Sequence, residues 1–432
     1  MCEAGRQPLH PRRDRRKHPA ADPGRYPARD KRVRRALRVL LAHDFYRSSA
    51  PSGEDIVYRN ERSLLEAGGV EVIPFERYND DIDESTFARR VSLAIEGAWS
   101  RRTCDELSAL LRKSRPDVAH FHNTFPLITP SAYAACRDLG VPVVQTLHNY
   151  RLVCPGALLL RDGRPCEDCV GTNLFPALLH RCYRHSLAAT GAQVWTLLRN
   201  RLNGTYRNLV NRYIALTRFS ASRLAAGGLP PGRIQVKPNF LPVPPPAGKG
   251  GGGFAAYAGR LSEEKGVRTL LAAWRRLPGF PLQILGEGLL RSELELLARK
   301  EGLSVSFRGH CTKEELLDIV GRAEFLIVPS ICYEGFPMAL LEAYGCGTPV
   351  VASRIGSLDE LVEEGVTGMK FEPGNPLDLA AKVELLRKDS GRLATFRKEG
   401  RKTFEARYTA EKNLPALLEI YEKAIDDAGG RG

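Results

Sequence analysis

Short apolar runs alternate with helical patterns along the whole chain of 432 residues. The runs with the length and composition of buried strands are 38–42, 70–75, 117–122, 142–147 and 213–217 in the first half, and 254–258, 281–285, 305–308, 325–329, 349–352 and 369–371 in the second. Helical patterns lie between them, for example at 55–67, 267–277 and 291–300. Regular alternation of strands and helices predicts parallel sheets that helices cover on both faces.

The alternation runs twice, which predicts an α/β protein with two Rossmann-like, doubly wound domains facing each other across a cleft. The first domain is predicted at 37–240 and the second at 254–408, with a last helix within 409–432. Between the domains, 241–253 is rich in proline and glycine, as inter-domain linkers often are. Because ligands of such sheets bind at the carboxyl ends of strands, the chemistry is expected in the loops that follow strands.

Charge is concentrated at the N-terminus of the chain. The net charge is +14, and residues 1–38 hold 13 Lys or Arg against four acidic residues. We predict that 1–36 form a disordered basic tail, because this composition cannot build a core. Three interpretations of the tail stay open: contact with acidic lipid or nucleic acid, a solvated tail without a role, and a misassigned translation start near Val33.

The rest of the composition is that of a soluble globular protein, with 43% hydrophobic and 26% charged residues. No run of about 18 apolar residues is present, so no membrane span is predicted. The basic N-terminus lacks the apolar core of a signal peptide. A cytoplasmic location is therefore predicted.

Two glutamates, Glu334 and Glu342, flank the predicted start of a helix near Pro337. Gly335 permits unusual backbone angles, and proline suits the first helical position because its missing N–H costs nothing there. The free amides of a helix start form an anion site, so the segment can hold an anionic group between two hydrogen-bond acceptors. The alternative is a helix-start acid and a surface acid, although the neighbouring leucines predict a buried helix, in which an acid needs a partner.

A second candidate site lies where the strand at 254–258 ends at Gly259. Arg260 and Lys265 follow in a loop that leads into a helix. Arginine offers a planar fork of donors and lysine a compact charge, and both suit phosphate. The alternative is that both are solvated surface charges, as Arg and Lys in loops usually are.

These segments together resemble the retaining glycosyltransferases of family 4, which have the two-domain GT-B fold. The resemblance covers nearly all of the chain from about Leu37 onward. It is most specific at 259–266, 286–288 and 334–353. It implies that the last helix crosses back onto the first domain, and that the first domain binds the acceptor while the second binds the donor.

The resemblance also implies roles for individual residues. Glu334 would contact the donor sugar and Glu342 the ribose hydroxyls, while Arg260 and Lys265 would grip the diphosphate. The other predicted donor-binding residues are Gly53, Gly259, Gly286, Gly335, Phe336 and Pro337. Fixed cations and helix amides stabilise a departing diphosphate without reorganising, so no cofactor is predicted for catalysis.

In the first half, Gly53 opens a helix after the first strand and resembles the glycine loop of the family, with Ser52 in place of the first of two glycines. The third predicted strand ends with two histidines on one face. The family has a histidine near the donor sugar, and we predict that His122 is this catalytic residue, with a packed strand-end histidine as the alternative. His148 and Asn149 end the next strand and are expected to line the same cleft.

Four of the ten cysteines cluster in an insertion predicted at 152–183. They are Cys154, Cys166, Cys169 and Cys182. The two-residue gap between Cys166 and Cys169 is typical of zinc sites. A metal is favoured over disulfides in a cytoplasmic chain and would organise a segment with little core of its own. We predict structural zinc there, with free thiols as the alternative.

The segment 192–213 mixes apolar residues with arginines in the pattern of a basic amphipathic helix. Such a helix can lie on the acidic inner face of a membrane. The alternative is a domain helix whose basic face is simply solvated.

The predicted function is retaining transfer of a sugar from a UDP-, GDP- or ADP-linked donor to a glycan or lipid-linked acceptor in cell-surface polysaccharide biosynthesis. Front-face substitution is favoured, because no acid in the first half is an obvious nucleophile. Peripheral membrane contact is expected, and no nucleic-acid partner. The alternatives are a nucleotide-sugar epimerase or hydrolase on the same fold, and a sugar-nucleotide-binding protein without turnover.

Overall fold

The computed structural model describes residues 36–49, 52–83, 85–86, 92–93, 95–171 and 173–429. The predicted tail at 1–36 therefore lies outside the described residues, except for Ala36. The described part forms two α/β domains, each built around a parallel sheet of six strands. The predicted fold class is confirmed.

The first domain contains eight strands and seven helices among the described residues. The strands are β1 (Arg38–Phe45), β2 (Glu71–Tyr78), β3 (Val118–Phe121), β4 (Val143–Leu147), β5 (Leu160–Arg161), β6 (Arg164–Pro165), β7 (Arg212–Ala215) and β8 (Ile234–Val236). The helices are α1 (Gly53–Ala67), α2 (Arg101–Ser114), α3 (Ser131–Asp138), α4 (Phe175–Leu179), α5 (Leu187–Leu202), α6 (Thr205–Asn208) and α7 (Arg218–Ala226).

The second domain has six strands and seven helices in the described range. The strands are β9 (Ala255–Ala258), β10 (Leu282–Leu285), β11 (Val305–Gly309), β12 (Phe325–Val328), β13 (Val350–Ser353) and β14 (Gly368–Phe371). The helices are α8 (Val267–Trp274), α9 (Arg291–Lys300), α10 (Lys313–Arg322), α11 (Met338–Cys346), α12 (Gly356–Leu361), α13 (Pro376–Arg387) and α14 (Ser390–Arg407).

Strand order places the functional loops. The first sheet runs β2-β1-β3-β4-β7-β8 and the second β11-β10-β9-β12-β13-β14. The order reverses between β1 and β3 in the first sheet and between β9 and β12 in the second. Ligands of doubly wound sheets bind outside the carboxyl ends of strands at such switch points. The loops that follow β1, β3, β9 and β12 are therefore where a ligand is expected.

The central strands are buried on both faces, as parallel sheets between helix layers require. Every residue of β3, β4, β12 and β13 is buried. This explains why the sequence shows continuous apolar runs there rather than the alternation of a half-exposed strand.

The last helix, α15 (Ala410–Gly429), leaves the second domain and packs on the first sheet. Leu417, Ile420 and Tyr421 lie in the same buried cluster as Val39 and Leu41 of β1. Apolar residues three or four positions apart form one stripe along a helix, which is the face that this helix buries.

The segment 241–253 runs along the second domain without a regular helix or strand of its own. Its backbone N–H groups donate to second-domain carbonyls, from Leu241 to Tyr408 at 3.1 Å and from Gly248 to Cys346 at 2.8 Å. The predicted linker is therefore packed along its length and is not a free tether.

Two local predictions differ from the structure. The short strand β8 and the β5–β6 hairpin were not predicted, because two or three residues are too few for a pattern. The predicted helix at 192–213 is divided: α5 ends at Leu202, and Gly204 takes a φ of 65° that an α-helix does not allow. In the described part of the chain, no helix is long and apolar enough to cross a bilayer.

Candidate active site

A cleft of about 350 Å³ lies between the two domains, at the switch points of both sheets. This volume is within the range of ligand sites in proteins. The cleft is lined on the first-domain side by the start of α1 and the loop after β4, and on the second-domain side by the loops after β9 and β12 and by α11. Two cations, Arg260 and Lys265, are among the described residues that line it.

Lys265 and Glu334 form an ion pair at the floor of the cleft. Lys265 Nζ is 2.6 Å from Glu334 Oε1, which also accepts a hydrogen bond from Ser330 Oγ at 2.5 Å. Burial alone would raise the pKa of Glu334, but Lys265 and Ser330 outweigh it and hold that pKa below its ordinary value. The same carboxylate raises the pKa of Lys265 against the effect of burial. Both groups are therefore charged at neutral pH.

The backbone brings these two loops into contact. An ideal Cβ built on Gly266 would lie 1.8 Å from the carbonyl oxygen of Pro329, so only glycine fits beside the end of β12. Ile331 N donates to Glu264 O at 3.0 Å and ties the loops together. The loop after β9 thus delivers Lys265 to Glu334.

Arg260 stands at the open side of the same loop, with its guanidinium exposed. Tyr257 donates through its hydroxyl to the carbonyl of Arg260 at 2.7 Å, which fixes the backbone at this point. The guanidinium contacts Glu264 Oε1 at 3.3 Å, and Ser262 Oγ donates to the same oxygen at 2.6 Å. The side chain can therefore turn toward an anion in the cleft without leaving a buried position.

Helix α11 begins at the cleft, after the N-cap residue Pro337, and no side chain caps its first turn. The free amides of this turn provide an anion site. Glu342 lies on the same helix and is 6% exposed, and it forms an ion pair with Lys313 of α10. The segment therefore presents an anion site between the carboxylates of Glu334 and Glu342.

On the first-domain side, Glu54 enters the cleft from the first turn of α1. Its carboxylate accepts from Asn149 Nδ2 at 2.9 Å and from the Tyr46 hydroxyl at 3.2 Å. Burial raises the pKa of Glu54, and the hydrogen bond from Asn149 opposes this only in part. An acid with a raised pKa in a cleft is typical of groups that exchange protons with a substrate.

A chain of three side chains, Glu61, His122 and His148, leads from the interior of the first domain to the cleft. Glu61 Oε1 lies 3.0 Å from His122 Nε2, and His122 Nδ1 lies 2.9 Å from Nε2 of His148. Burial lowers the pKa of His122 to about 4 and that of His148 well below its ordinary value, so both rings are neutral at pH 7.

The tautomers of this chain follow from the carboxylate. Because Glu61 only accepts, His122 donates to it through Nε2–H and must then accept at Nδ1 from the Nε2–H of His148. Nδ1 of His148 is left as an acceptor. His148 lines the cleft, so this nitrogen is available to a substrate hydroxyl.

Lys237 and α15 complete the network behind the histidines. Lys237 Nζ lies 2.9 Å from Glu61 Oε2 and 3.0 Å from Asn413 Oδ1 of α15. Burial alone would raise the pKa of Glu61, but Lys237, His120 and His122 outweigh it and hold it well below its ordinary value. The spacing of Glu61, His120 and His122 would allow a metal, but the Lys237 ammonium already supplies the cation.

The two domains touch at the cleft. An ideal Cβ on Gly335 would lie 2.4 Å from the backbone oxygen of His148, so glycine permits the closest approach of the two domains there. Beside it, Ser357 contacts Thr217 across the interface, with their hydroxyl oxygens 2.8 Å apart. Glu360 accepts from the first N–H groups of α7, at 3.0 and 2.8 Å.

Family models match both halves of the molecule. A model for glycosyltransferase family 4 matches residues 65–243, and a model for group 1 glycosyl transferases matches residues 246–403. The two matches meet between the domains and together cover most of the chain. The chain belongs to the family 4 glycosyltransferases.

Curated relatives match about two fifths of this family 4 chain. An uncharacterised glycosyltransferase of Methanocaldococcus jannaschii is 32% identical over 180 residues, which are 40% of this chain and 49% of that protein. Glycogen synthase of Mycobacterium tuberculosis is 36% identical over 171 residues, which are 38% of this chain and 41% of that protein. The match therefore spans less than half of the length of either relative.

Solved structures match over most of the molecule. Alr3699/HepE of Anabaena, in complex with UDP and glucose, matches with a TM-score of 0.62 at 17% identity, over 89% of this chain and 99% of that one. At this identity the likeness concerns the fold. The family 4 chain has the GT-B fold.

Most of the residues predicted for the site of this family 4 protein lie together. The cleft is lined by Gly53, Gly259, Arg260, Lys265, Glu334, Gly335, Phe336, Pro337 and Glu342. They come from the two loops that follow β9 and β12 and from the helices α1 and α11.

Two predicted residues are not among those that line the cleft. His122 is 2% exposed and lies behind His148, which takes the position at the cleft wall. Gly286 has a φ of 135° and packs on the backbone of Gly259, where a Cβ would lie 2.0 Å from the carbonyl oxygen. Both contact residues that line the cleft: His122 forms a hydrogen bond with His148, and Gly286 packs on the loop that carries Arg260.

Glu54 is a candidate site residue in the cleft that the sequence argument missed. It directly follows Gly53, but acids are common in the first turn of helices, where they favour the helix dipole. The one available clue to Glu54 was Asn149, which was predicted at the cleft and needs a hydrogen-bond partner there. Their contact joins residues 95 positions apart, and no local pattern reports it.

Proposed function

We propose that this protein transfers a sugar, with retention of configuration, from a nucleotide diphosphate sugar to a hydroxyl group of a glycan or lipid-linked acceptor. The observation that carries the proposal is the convergence of Arg260, Lys265 and the uncapped start of α11 on one side of Glu334. Fixed cations and amides at one point favour a group that gains negative charge during the reaction. A departing nucleoside diphosphate is such a group.

A uridine donor is supported by the matching structure from Anabaena, which contains UDP and glucose. In the proposed complex the diphosphate lies against Arg260, Lys265 and the first turn of α11. Glu342 accepts from the ribose hydroxyls, and its contact with Lys313 is exchanged for them. Glu334 then faces the sugar hydroxyls while it keeps Lys265 in place.

For the reaction itself we propose front-face substitution. The bond from the anomeric carbon to the diphosphate breaks as the acceptor oxygen approaches from the same side. The acceptor proton passes to the leaving phosphate oxygen. No metal is required in this scheme, because Lys265 and the amides of α11 stabilise the leaving charge.

The first domain supplies two hydrogen-bond acceptors to the other side of the cleft. Nδ1 of His148 accepts from a hydroxyl of the sugar or of the incoming acceptor molecule, since His122 and His148 are both neutral. The second is the carboxylate of Glu54, which follows Gly53; Gly53 itself lies close to Met338, the first residue of α11. We place the hydroxyl of the acceptor molecule between His148 and Glu54.

A lipid-linked acceptor is supported by an exposed apolar surface on the first domain. Its residues, on α4 and α5, are Phe175, Leu179, Leu187, Trp195, Leu198 and Leu202. Two arginines of α5 turn inward: Arg199 stacks over Trp99, and Arg201 donates to backbone carbonyls of Gly171 and Leu152. The proposed membrane contact therefore has an apolar part that would persist on neutral vesicles, beside the exposed cations Arg181 and Arg207.

The donor is identified by a thermal-shift screen of UDP-, GDP- and ADP-sugars with the full chain, because a ligand at 100 times its dissociation constant stabilises by about 2.7 kcal/mol. With that donor, product configuration is read by NMR on a panel of glycan acceptors. Lys265→Met and Glu334→Gln should each lower kcat by about 10²–10³, while the exposed Lys300→Met control on α9 should not. Unchanged turnover in both site variants would refute the assignment, and free sugar or an epimer formed without acceptor would support the alternative reactions.

A further inference from the structure

Four cysteines from separate parts of the insertion converge on the surface of the first domain. Cys154, Cys166, Cys169 and Cys182 line one cavity of about 10 Å³, and none of them forms a disulfide. This is room for one water-sized body. Four thiol groups around a space of this size match the ligand set of structural zinc.

The backbone around the cavity is held in tight turns. Ala157 N donates to the carbonyl of Cys154 at 2.9 Å, and Cys166 N donates to the carbonyl of Leu159 at 2.8 Å. In this segment the chain takes left-handed angles at Ala157 (φ 66°) and Leu159 (φ 48°), which are uncommon for residues with a side chain. Cys182 N donates at 3.1 Å to the carbonyl of Ala177, which also lines the cavity. These backbone hydrogen bonds bring Cys154, Cys166 and Cys182 around one space.

The charge around the cavity is also compatible with a zinc ion bound by four thiolates. Four thiolates and one Zn²⁺ carry a net charge of about −2. Arg161 lines the cavity and donates to Asp168 at 2.5 Å, so a cation stands at the sulfurs and the nearby carboxylate is already paired. Among the described residues no three of these sulfurs lie within 4.8 Å of one another. Zn–S bonds of about 2.3 Å would therefore draw the side chains inward.

The same segment reaches the active-site cleft. Ala157 and Leu158, between Cys154 and Cys166, line the cleft. Glu167, between Cys166 and Cys169, pairs with Arg223 at 2.7 Å. Arg223 lies over the ring of Phe219, which packs at 4.7 Å on the ring of Tyr333 in the second domain, next to Glu334. A metal at the cysteines would therefore fix the cleft wall on the acceptor side and a contact between the domains.

We propose that Cys154, Cys166, Cys169 and Cys182 bind one zinc ion as thiolates, and that this ion holds the acceptor-side wall of the cleft. The proposal of metal binding does not depend on the proposed reaction. The proposed effect on the acceptor-side wall does depend on that reaction.

The test uses the full chain, expressed with zinc and purified without a metal-binding tag. Elemental analysis and native mass spectrometry should find one zinc per chain, and cobalt in its place should give thiolate-to-metal charge-transfer absorption. The double variant Cys166→Ser/Cys169→Ser should lose the metal, whereas Cys311→Ser in the second domain should keep it. In the wild type, these four thiols should resist alkylation until a chelator is added.

Zinc well below one per chain in folded wild-type protein would overturn the proposal, and so would a disulfide between any two of the four cysteines. These results do not depend on turnover, so they are distinguishable from failure of the proposed function. If the double variant does not fold, the cobalt spectrum and the alkylation pattern of the wild type still show whether the four cysteines bind the metal. The role at the wall is tested on zinc-depleted protein, in which the KM for acceptor should rise several-fold while UDP affinity stays unchanged; equal acceptor KM would refute it.

Discussion

Replacement of His122 by glutamine tests the chain of neutral histidines that leads to the cleft. In the folded protein the pKa of His122 is lowered from 6.5 to about 4, chiefly by burial. The unfolded chain therefore binds a proton first as the pH falls. The stability linked to His122 is fully present above pH 6.5 and is lost between pH 6.5 and 4. A lowering of this size corresponds to about 3 kcal/mol of unfolding free energy by pH 4.

The His122→Gln variant should be less stable than the wild type at pH 7, because it loses the ring that packs on Tyr58 and His148. Its stability should nevertheless fall less steeply with acid, so the difference between the two proteins shrinks by about 2–3 kcal/mol from pH 7 to pH 4. Urea unfolding is followed by tryptophan fluorescence in a Trp274→Phe background, which leaves Trp99 and Trp195 of the first domain as reporters. The exposed His310→Gln variant is the control.

Parallel loss of stability in the wild type and in His122→Gln would refute the reasoning. It would mean that His122 does not stay neutral in the folded state, and the tautomers assigned to His148 would fail with it. If the stability of the variant fell more steeply with falling pH than that of the wild type, the assumed lowering of the His122 pKa would be contradicted.

Three further predictions concern the cleft. Gly335→Ala places a Cβ against the His148 carbonyl, so kcat should fall about 100-fold with misplacement of the domains; an unchanged kcat would contradict this. Glu342→Gln should weaken UDP binding about 10-fold or more, since hydrogen bonds to charged groups contribute about 1.5–3 kcal/mol; the same UDP affinity in variant and wild type would show that Glu342 does not bind the ribose. Glu54→Gln should lower kcat about 100-fold, because the carboxylate that positions the acceptor hydroxyl is lost. It should also remove the acid limb of the kcat–pH profile, because the raised pKa of Glu54 sets the pH below which its carboxylate is protonated; an unchanged profile would show that Glu54 has no such role.

The order of strands and helices was readable from the sequence because burial on both faces leaves continuous apolar runs. The predicted strands lie within a few residues of those observed, for example 325–329 against Phe325–Val328. The second-domain side of the cleft was also predictable. Arg260 and Lys265 belong to one loop and Glu334 to another, and each loop carries its glycine or proline signal within a few residues.

The first-domain side could not be read in the same way. The two histidines of β3 share a face by the period of the strand, but burial depends on what covers that face. Tyr421 of α15 contacts His120, and Glu61 of α1 contacts His122. Only these distant segments decide that the cleft is reached by His148. Likewise, the sequence predicts exposed arginines on α5, but Arg199 packs on Trp99 and Arg201 donates to the backbone of the insertion.

The sequence alone determined that this chain forms two facing doubly wound domains, because hydrophobic periodicity and turn residues act over short stretches. It also determined which loops hold cations and acids. The tertiary structure decided which of these groups meet: Glu54 with Asn149, Lys237 with Glu61 and Asn413, and four cysteines around one cavity. The physical reason is that a buried charge is tolerated only with a partner, and partners separated by many tens of residues are chosen by packing and leave no local pattern.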